Sequence, residues 1–90
     1  MKVRVTINYK GRVQGVGYRW RVAEISNSFE CSGYVQNLMD GSVELLIEGE
    51  RLEVLEMVDT VDVQLKEYWH EKTMDEREGD AQFKKFRIKY

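Results

Sequence analysis

Three glycines fall within nine residues near the start of this chain, in GRVQGVGYR at Gly11 to Arg19. The apolar period changes across them. Before the segment, Val3, Val5, Ile7 and Tyr9 alternate with Lys2, Arg4, Thr6 and Asn8. That pattern predicts a half-buried strand with its odd positions inward. After the segment, Tyr18, Val22, Ile25 and Phe29 are spaced by four, three and four, as on one face of a helix. A strand must therefore pass into a helix through a joint of unusual backbone freedom, and the fold must supply a place for that joint.

The rest of the chain extends the pattern. Ser32-Gly33 stops the first helix, and YVQNL reads as a short strand. Asp40-Gly41 is a tight-turn signal, since both residues tolerate positive φ. Val43, Leu45 and Ile47 alternate as the hairpin partner, which Gly49 ends. ERLEVLEMVDTV predicts a second helix with Leu52, Leu55 and Val58 along one side. Val61, Val63 and Leu65 alternate with Asp62, Gln64 and Lys66, which predicts a fourth strand. HEKTMDEREGD is charged and reads as a solvated loop or long hairpin tip. Phe86, Ile88 and Tyr90 alternate in a final strand. The order β-α-β-β-α-β-β predicts an α+β chain, a ferredoxin-like α/β plait (βαββαβ with a short C-terminal strand). Two helices would lie on one face of an antiparallel sheet.

Composition bounds the function. At 90 residues the chain reads as a single domain over 1–90, near the lower size limit for one core. A net charge of -2 does not favour a broad nucleic-acid footprint, and no RNA-binding aromatic pattern is present. With one cysteine, Cys31, no internal disulfide can form, which suits a reducing compartment. No apolar run approaches the roughly 20 residues of a membrane span, and the N-terminus lacks an apolar leader core. A cytoplasmic monomer with no membrane or nucleic-acid partner is expected. His70 is the only histidine, and no spacing resembles a zinc or calcium site. Neither metal nor cofactor is expected.

The glycine joint matches neither G-x-x-x-x-G-K-[ST] nor G-x-G-x-x-G. The physics of those loops still applies to it. A helix N-terminus presents unpaired N–H groups, and glycines let the backbone curve around an anion. The helix dipole adds partial positive charge, and Arg19 adds a planar fork of donors. A cation at a helix N-terminus is slightly unfavourable unless an anion reverses the sign. Taken alone, the nonapeptide fits two readings equally well. One is a phosphate cradle and the other a sharp turn followed by a surface arginine.

The nonapeptide also resembles the signature of the acylphosphatase family, small enzymes that hydrolyse the carboxyl-phosphate bond of acyl phosphates. GYVQNLMDGSVE, from Gly33 to Glu44, resembles the family's second segment: glycine, aromatic, valine, any residue, asparagine, then Asp-Gly and Val-Glu. Glu48-Gly49 follows where the family has it. The resemblance is close from Gly11 to Gly49 and looser elsewhere. It implies the plait fold, an acyl phosphate substrate and inorganic phosphate as product. It also implies a catalytic arginine at Arg19 and a catalytic asparagine at Asn37. Gly15, Val16, Gly17, Tyr18 and Arg19 would bind the phosphate. Tyr34 stands where tryptophan is usual, and Gln36 where a basic residue is common. The usual glycine and proline after the second helix are missing from VDTVDV, and HEKTMDEREGD is longer than the usual final connection.

The implied chemistry needs few groups. The leaving carboxylate has a conjugate acid of pKa about 4, so it hardly needs a general acid. Charge on the phosphoryl oxygens can be met by Arg19 and backbone N–H groups, while Asn37 orients a water. Two rivals remain: a non-catalytic phosphate or carboxylate binder, and an interaction or nucleic-acid domain on the same plait. For Asn37 itself, a turn-stabilising role beside Asp40-Gly41 is the alternative. Trp20 and Trp69 read as packing residues, His70 as solvated, Cys31 as a boundary residue, and Arg12 and Arg21 as surface charges. No specificity pocket is legible, and the acyl group is free to lie in solvent.

Overall fold

A computed structural model describes residues 1–90. Its elements are β1 (Lys2–Gly11), α1 (Tyr18–Ser26), β2 (Ser32–Asn37), β3 (Val43–Glu50), α2 (Arg51–Gln64), β4 (Trp69–Glu78) and β5 (Phe86–Lys89). They form the ferredoxin-like plait, two helices against one five-stranded sheet of order β4-β1-β3-β2-β5. The predicted order of elements holds. The sheet is mixed rather than antiparallel, because β5 runs parallel to β2, with Val35 opposite Ile88 and Gln36 opposite Lys89. No helix is long and apolar enough to cross a membrane.

The alternation in β1 is realised fully. Val3, Val5, Ile7 and Tyr9 are removed from water completely. Val43, Leu45 and Ile47 of β3 and Val35 of β2 join them, under Tyr18 and Val22 of α1. The second helix supplies Val54, Met57, Val58 and Val61. Leu52 is exposed, so the buried face of α2 is rotated from the expected Leu52-Leu55-Val58 line. The first helix ends at Ser26, and Phe29 lies in the turn that follows, where its N–H donates to the Ser26 carbonyl at 3.1 Å.

Two expectations for the C-terminal third are corrected. Residues 61–65 form no strand: α2 continues to Gln64, Val61 and Leu65 are buried, and Val63 between them is exposed. A spacing of four satisfies a helix as well as two steps of alternation satisfy a strand, and Val54-Met57-Val58-Val61 extends the helical face. The charged run is not a loop, because Trp69–Glu78 is β4, paired antiparallel to β1. It is an edge strand, exposed over most of its length, so it needs little apolar sequence, and its charges suit an unpaired edge. The connecting segment is only the stretch between Glu78 and Phe86.

Glu48 anchors that segment from the interior. Its side chain is 1% exposed, accepts from Arg4 Nε at 2.8 Å, and accepts from the Gln82 and Phe83 backbone N–H groups at 2.8 and 3.0 Å. A buried carboxylate with three donors is compensated, but its donors depend on it. Glu48→Ala is expected to lower stability by about 3 kcal/mol, the scale for breaking a buried pair. It should also loosen the segment before β5. Urea unfolding and amide exchange at Gln82 and Phe83 measure the two effects, and wild-type stability in the variant would contradict the anchoring role.

Candidate active site

Residues 12–17 make the joint between β1 and α1. Gly15 and Gly17 both take left-handed φ, 76° and 77°. A Cβ at either would meet nothing within 4 Å. Glycine is thus required here by the backbone alone, and the space beside the turn is open. Gly17 is the N-cap of α1, with no side-chain cap and no acidic residue in the first turn. The Arg21 N–H donates to the Gly17 carbonyl at 3.0 Å, which starts the helical ladder. The amides before it keep the unpaired N–H groups of a helix start, with no carboxylate nearby on the helix to meet them.

The second motif is held against this joint. Gln14 Nε2 donates to the carbonyls of Leu38 and Ser42, at 2.8 and 2.9 Å. Ser42 is buried at the base of the β2–β3 turn. Its hydroxyl accepts from Asn8 Nδ2 at 2.9 Å and donates to Asp40 Oδ1, and its backbone N–H also donates to Asp40. These bonds hold the Asp40 carboxyl below its ordinary value, the Ser42 hydroxyl contributing most. The turn closes through the Leu38 N–H to the Ser42 carbonyl at 2.9 Å. Only Gly41 takes positive φ there, since no residue other than glycine does so anywhere.

Asn37 is the last residue of β2, opposite Val43. It lines a pocket of about 180 Å³ together with Gly15, Gly17, Tyr18 and Arg19. The side-chain oxygen of Asn37 is buried and has no hydrogen-bond donor. Such an acceptor costs about 1–3 kcal/mol unless something enters to donate to it. Turn stabilisation therefore falls to Asp40, Ser42 and Gln14, not to the Asn37 oxygen.

Arg19 forms no ion pair. Its guanidinium lies over the Tyr90 ring, 4.9 Å from the centroid. Tyr18 is 2% exposed, its ring packed on Tyr9 and Tyr68 at centroid distances of 5.7 and 6.3 Å. Burial raises its hydroxyl far above the ordinary tyrosine range. Its side chain packs in the core, where its hydroxyl, like the Asn37 oxygen, is buried without a hydrogen-bond partner. Val16 packs against the core and does not line the pocket.

The remaining pocket walls are Val13, Trp20, Ile88 and Tyr90. Sequence reasoning missed the last two because β5 lies far from the motifs along the chain. Gln14 sits within the first motif, and its pairing with two hairpin carbonyls leaves no local signature. Trp69 is a packing residue as expected, edge-on to Tyr9 at 5.7 Å and donating from Nε1 to the Asp62 carbonyl. Trp20 is not, being 63% exposed. His70 is exposed and Cys31 packs at the core boundary, where burial pushes its thiol up to about 11.

The acylphosphatase family model matches residues 5–88. The chain belongs to the acylphosphatase family. It is 37% identical over 90 residues to an acylphosphatase of Caldanaerobacter subterraneus, covering 98% of this chain and 99% of that one. It is 38% identical over 85 residues to one of Lactiplantibacillus plantarum, covering 93% and 94%. The fold superposes on the crystal structure of acylphosphatase from Bacillus subtilis with a TM-score of 0.86, at 28% identity and 98% and 99% coverage. The similarity thus extends beyond the two motifs to nearly the whole length of these acylphosphatases.

Gly17→Ala tests the joint. With open space for the new Cβ, the cost is conformational, about 1–2 kcal/mol for forcing a left-handed residue. Urea unfolding should show that loss, and phosphate should protect the variant less than the wild type. Undiminished phosphate protection would separate the glycine turn from anion binding.

Proposed function

We propose that this protein is an acylphosphatase that hydrolyses acyl phosphates to a carboxylate and inorganic phosphate, with Arg19 and Asn37 as its catalytic residues. The observation that carries the division of labour is that Asn37, whose buried side-chain oxygen has no donor, lines the same pocket as Arg19. An amide oxygen is an acceptor and repels an anion. It suits a hydrogen-bond donor, and water is the donor this reaction consumes. A protein that only held phosphate would gain nothing from it, so the binding-module reading is not favoured.

In this mechanism the Arg19 fork and the backbone N–H groups of Gly15 to Tyr18 hold the phosphoryl oxygens. They oppose the charge that spreads over those oxygens in a loose transition state. Asn37 accepts a hydrogen bond from the attacking water and fixes its line of approach. The water oxygen bonds to phosphorus as the bond from phosphorus to the acyl oxygen breaks. The electron pair leaves with the carboxylate. The water's proton passes to a phosphoryl oxygen, giving dihydrogen phosphate, so no side chain has to act as base. Asn37 could not do so, being a neutral amide. Tyr90 orients Arg19 through its ring face, a contact that keeps the guanidinium charge free for the substrate.

The same reading has the enzyme act as a cytoplasmic monomer. One cysteine suits a reducing compartment.

Purified protein should hydrolyse benzoyl phosphate in the presence of a chelator. Loss of turnover there, restored by magnesium, would refute the metal-independent mechanism.

Arg19→Gln should lower kcat/KM by about 10³-fold, the scale of a transition-state arginine, and abolish competitive inhibition by phosphate. Asn37→Ala should lower kcat by about 10²-fold and leave phosphate inhibition in place. Equal losses of kcat and phosphate affinity in Asn37→Ala would assign that residue to anion binding instead.

A further inference from the structure

A pocket of about 180 Å³ accommodates a phosphoryl group and a water, but it is small for a whole ligand, which usually occupies some 300–1,000 Å³. Three of its walls, Trp20, Ile88 and Tyr90, also line a second depression of about 560 Å³ between α1 and β5. The two are therefore adjacent, sharing these three side chains as walls. The second runs along α1 from Trp20 past Ala23 to Asn27 and is walled on the other side by Phe86 and Ile88. Small side chains on the helix leave the space, and the partly buried Ile88 and Phe86 make its β5 side apolar. Glu24 and Arg87 both line it, one of each sign, so it carries no net charge to attract or repel.

Trp20 stands where the two spaces meet. It is 63% exposed, although α1 buries Tyr18 and Val22 on its other side. A large indole left in water at the mouth of a site has apolar surface available for a ligand.

We propose that the groove between α1 and β5 is the acyl-group subsite, that it takes aromatic and extended apolar acyl chains, and that Trp20 sets this preference. The proposal rests on the acylphosphatase reading. The phosphoryl group sits in the cradle, and the acyl chain leaves it past Trp20 into the groove. There it covers the indole, Ile88 and Phe86. A one- or two-carbon acyl group is too short to reach beyond the indole and gains little.

The experiment compares kcat/KM for acetyl, hexanoyl and benzoyl phosphate in the wild type, Trp20→Ala and Trp20→Phe. Ratios to acetyl phosphate within each protein, compared between proteins, remove the intrinsic reactivity of the substrates. The hexanoyl and benzoyl ratios should fall by about tenfold in Trp20→Ala, the size of a lost apolar contact in a specificity pocket. Trp20→Phe should recover most of the benzoyl ratio. Inorganic phosphate, which has no acyl group, should inhibit wild type and Trp20→Ala alike. Ratios that do not change, or a uniform loss on all three substrates, would overturn the subsite while leaving the acylphosphatase reading in place. A matching loss of phosphate affinity would also overturn it, by showing that Trp20 acts through Arg19. No turnover of any substrate by the wild type would remove both.

Discussion

Val3, Val5, Ile7 and Tyr9 are withdrawn from water on a strand that is hydrogen-bonded along both sides. Each such side chain contributes about 1.5–3 kcal/mol of burial. A slip of one residue would turn the whole set to solvent and bring Lys2, Arg4, Thr6 and Asn8 inward. That penalty sets the register of β1 against β3 and β4. It therefore sets where β1 stops and where the glycine joint can begin. Tyr9 adds a second tie at the site end of the strand, its hydroxyl donating to Asp62 Oδ1 at 2.7 Å. Lys72 of β4 pairs with the same carboxylate. The end of α2, the end of β1 and the edge strand are thereby joined around one buried phenol.

The candidate site is assembled on that frame from segments with little apolar content of their own. The glycine turn is strained for any other residue, and the helix start is uncapped, two features that cost stability in isolation. Arg19 adds a cation at the wrong helix end. Local rules are broken together at one place, which is where a functional site is expected to appear. The compensation comes from outside the joint. Gln14 clamps it to the hairpin, the Ser42-Asp40-Asn8 network fixes the hairpin, and Tyr90 supports Arg19. Glu48 holds the segment leading into β5, the strand that carries Ile88 into the pocket wall and Tyr90 just beyond it. Distant anchoring of this kind is how a small core can keep a site preorganised.

Much of this was legible in the chain itself, because it depends on neighbours in sequence. Alternation defined β1 and β3, and helical spacing defined α1. Paired glycines between the two marked a turn that only they can make. Arg19 and Asn37 stood out through two linked motifs, whose spacing reflects one strand-to-helix joint and one hairpin. Where local pattern was ambiguous, tertiary packing decided. Val61 and Leu65 could serve a strand or a helix, and the sheet had room for them only as the last turn of α2 and the residue beyond it. Trp69–Glu78 has almost no apolar signal, and it is a strand because the free side of β1 needed hydrogen-bond partners. The parallel pairing of β5 with β2, the exposure of Trp20 and the unpaired oxygen of Asn37 had no local signature at all. Each depends on which surfaces meet after folding, and a side chain's burial and partners are properties of that meeting rather than of the residue.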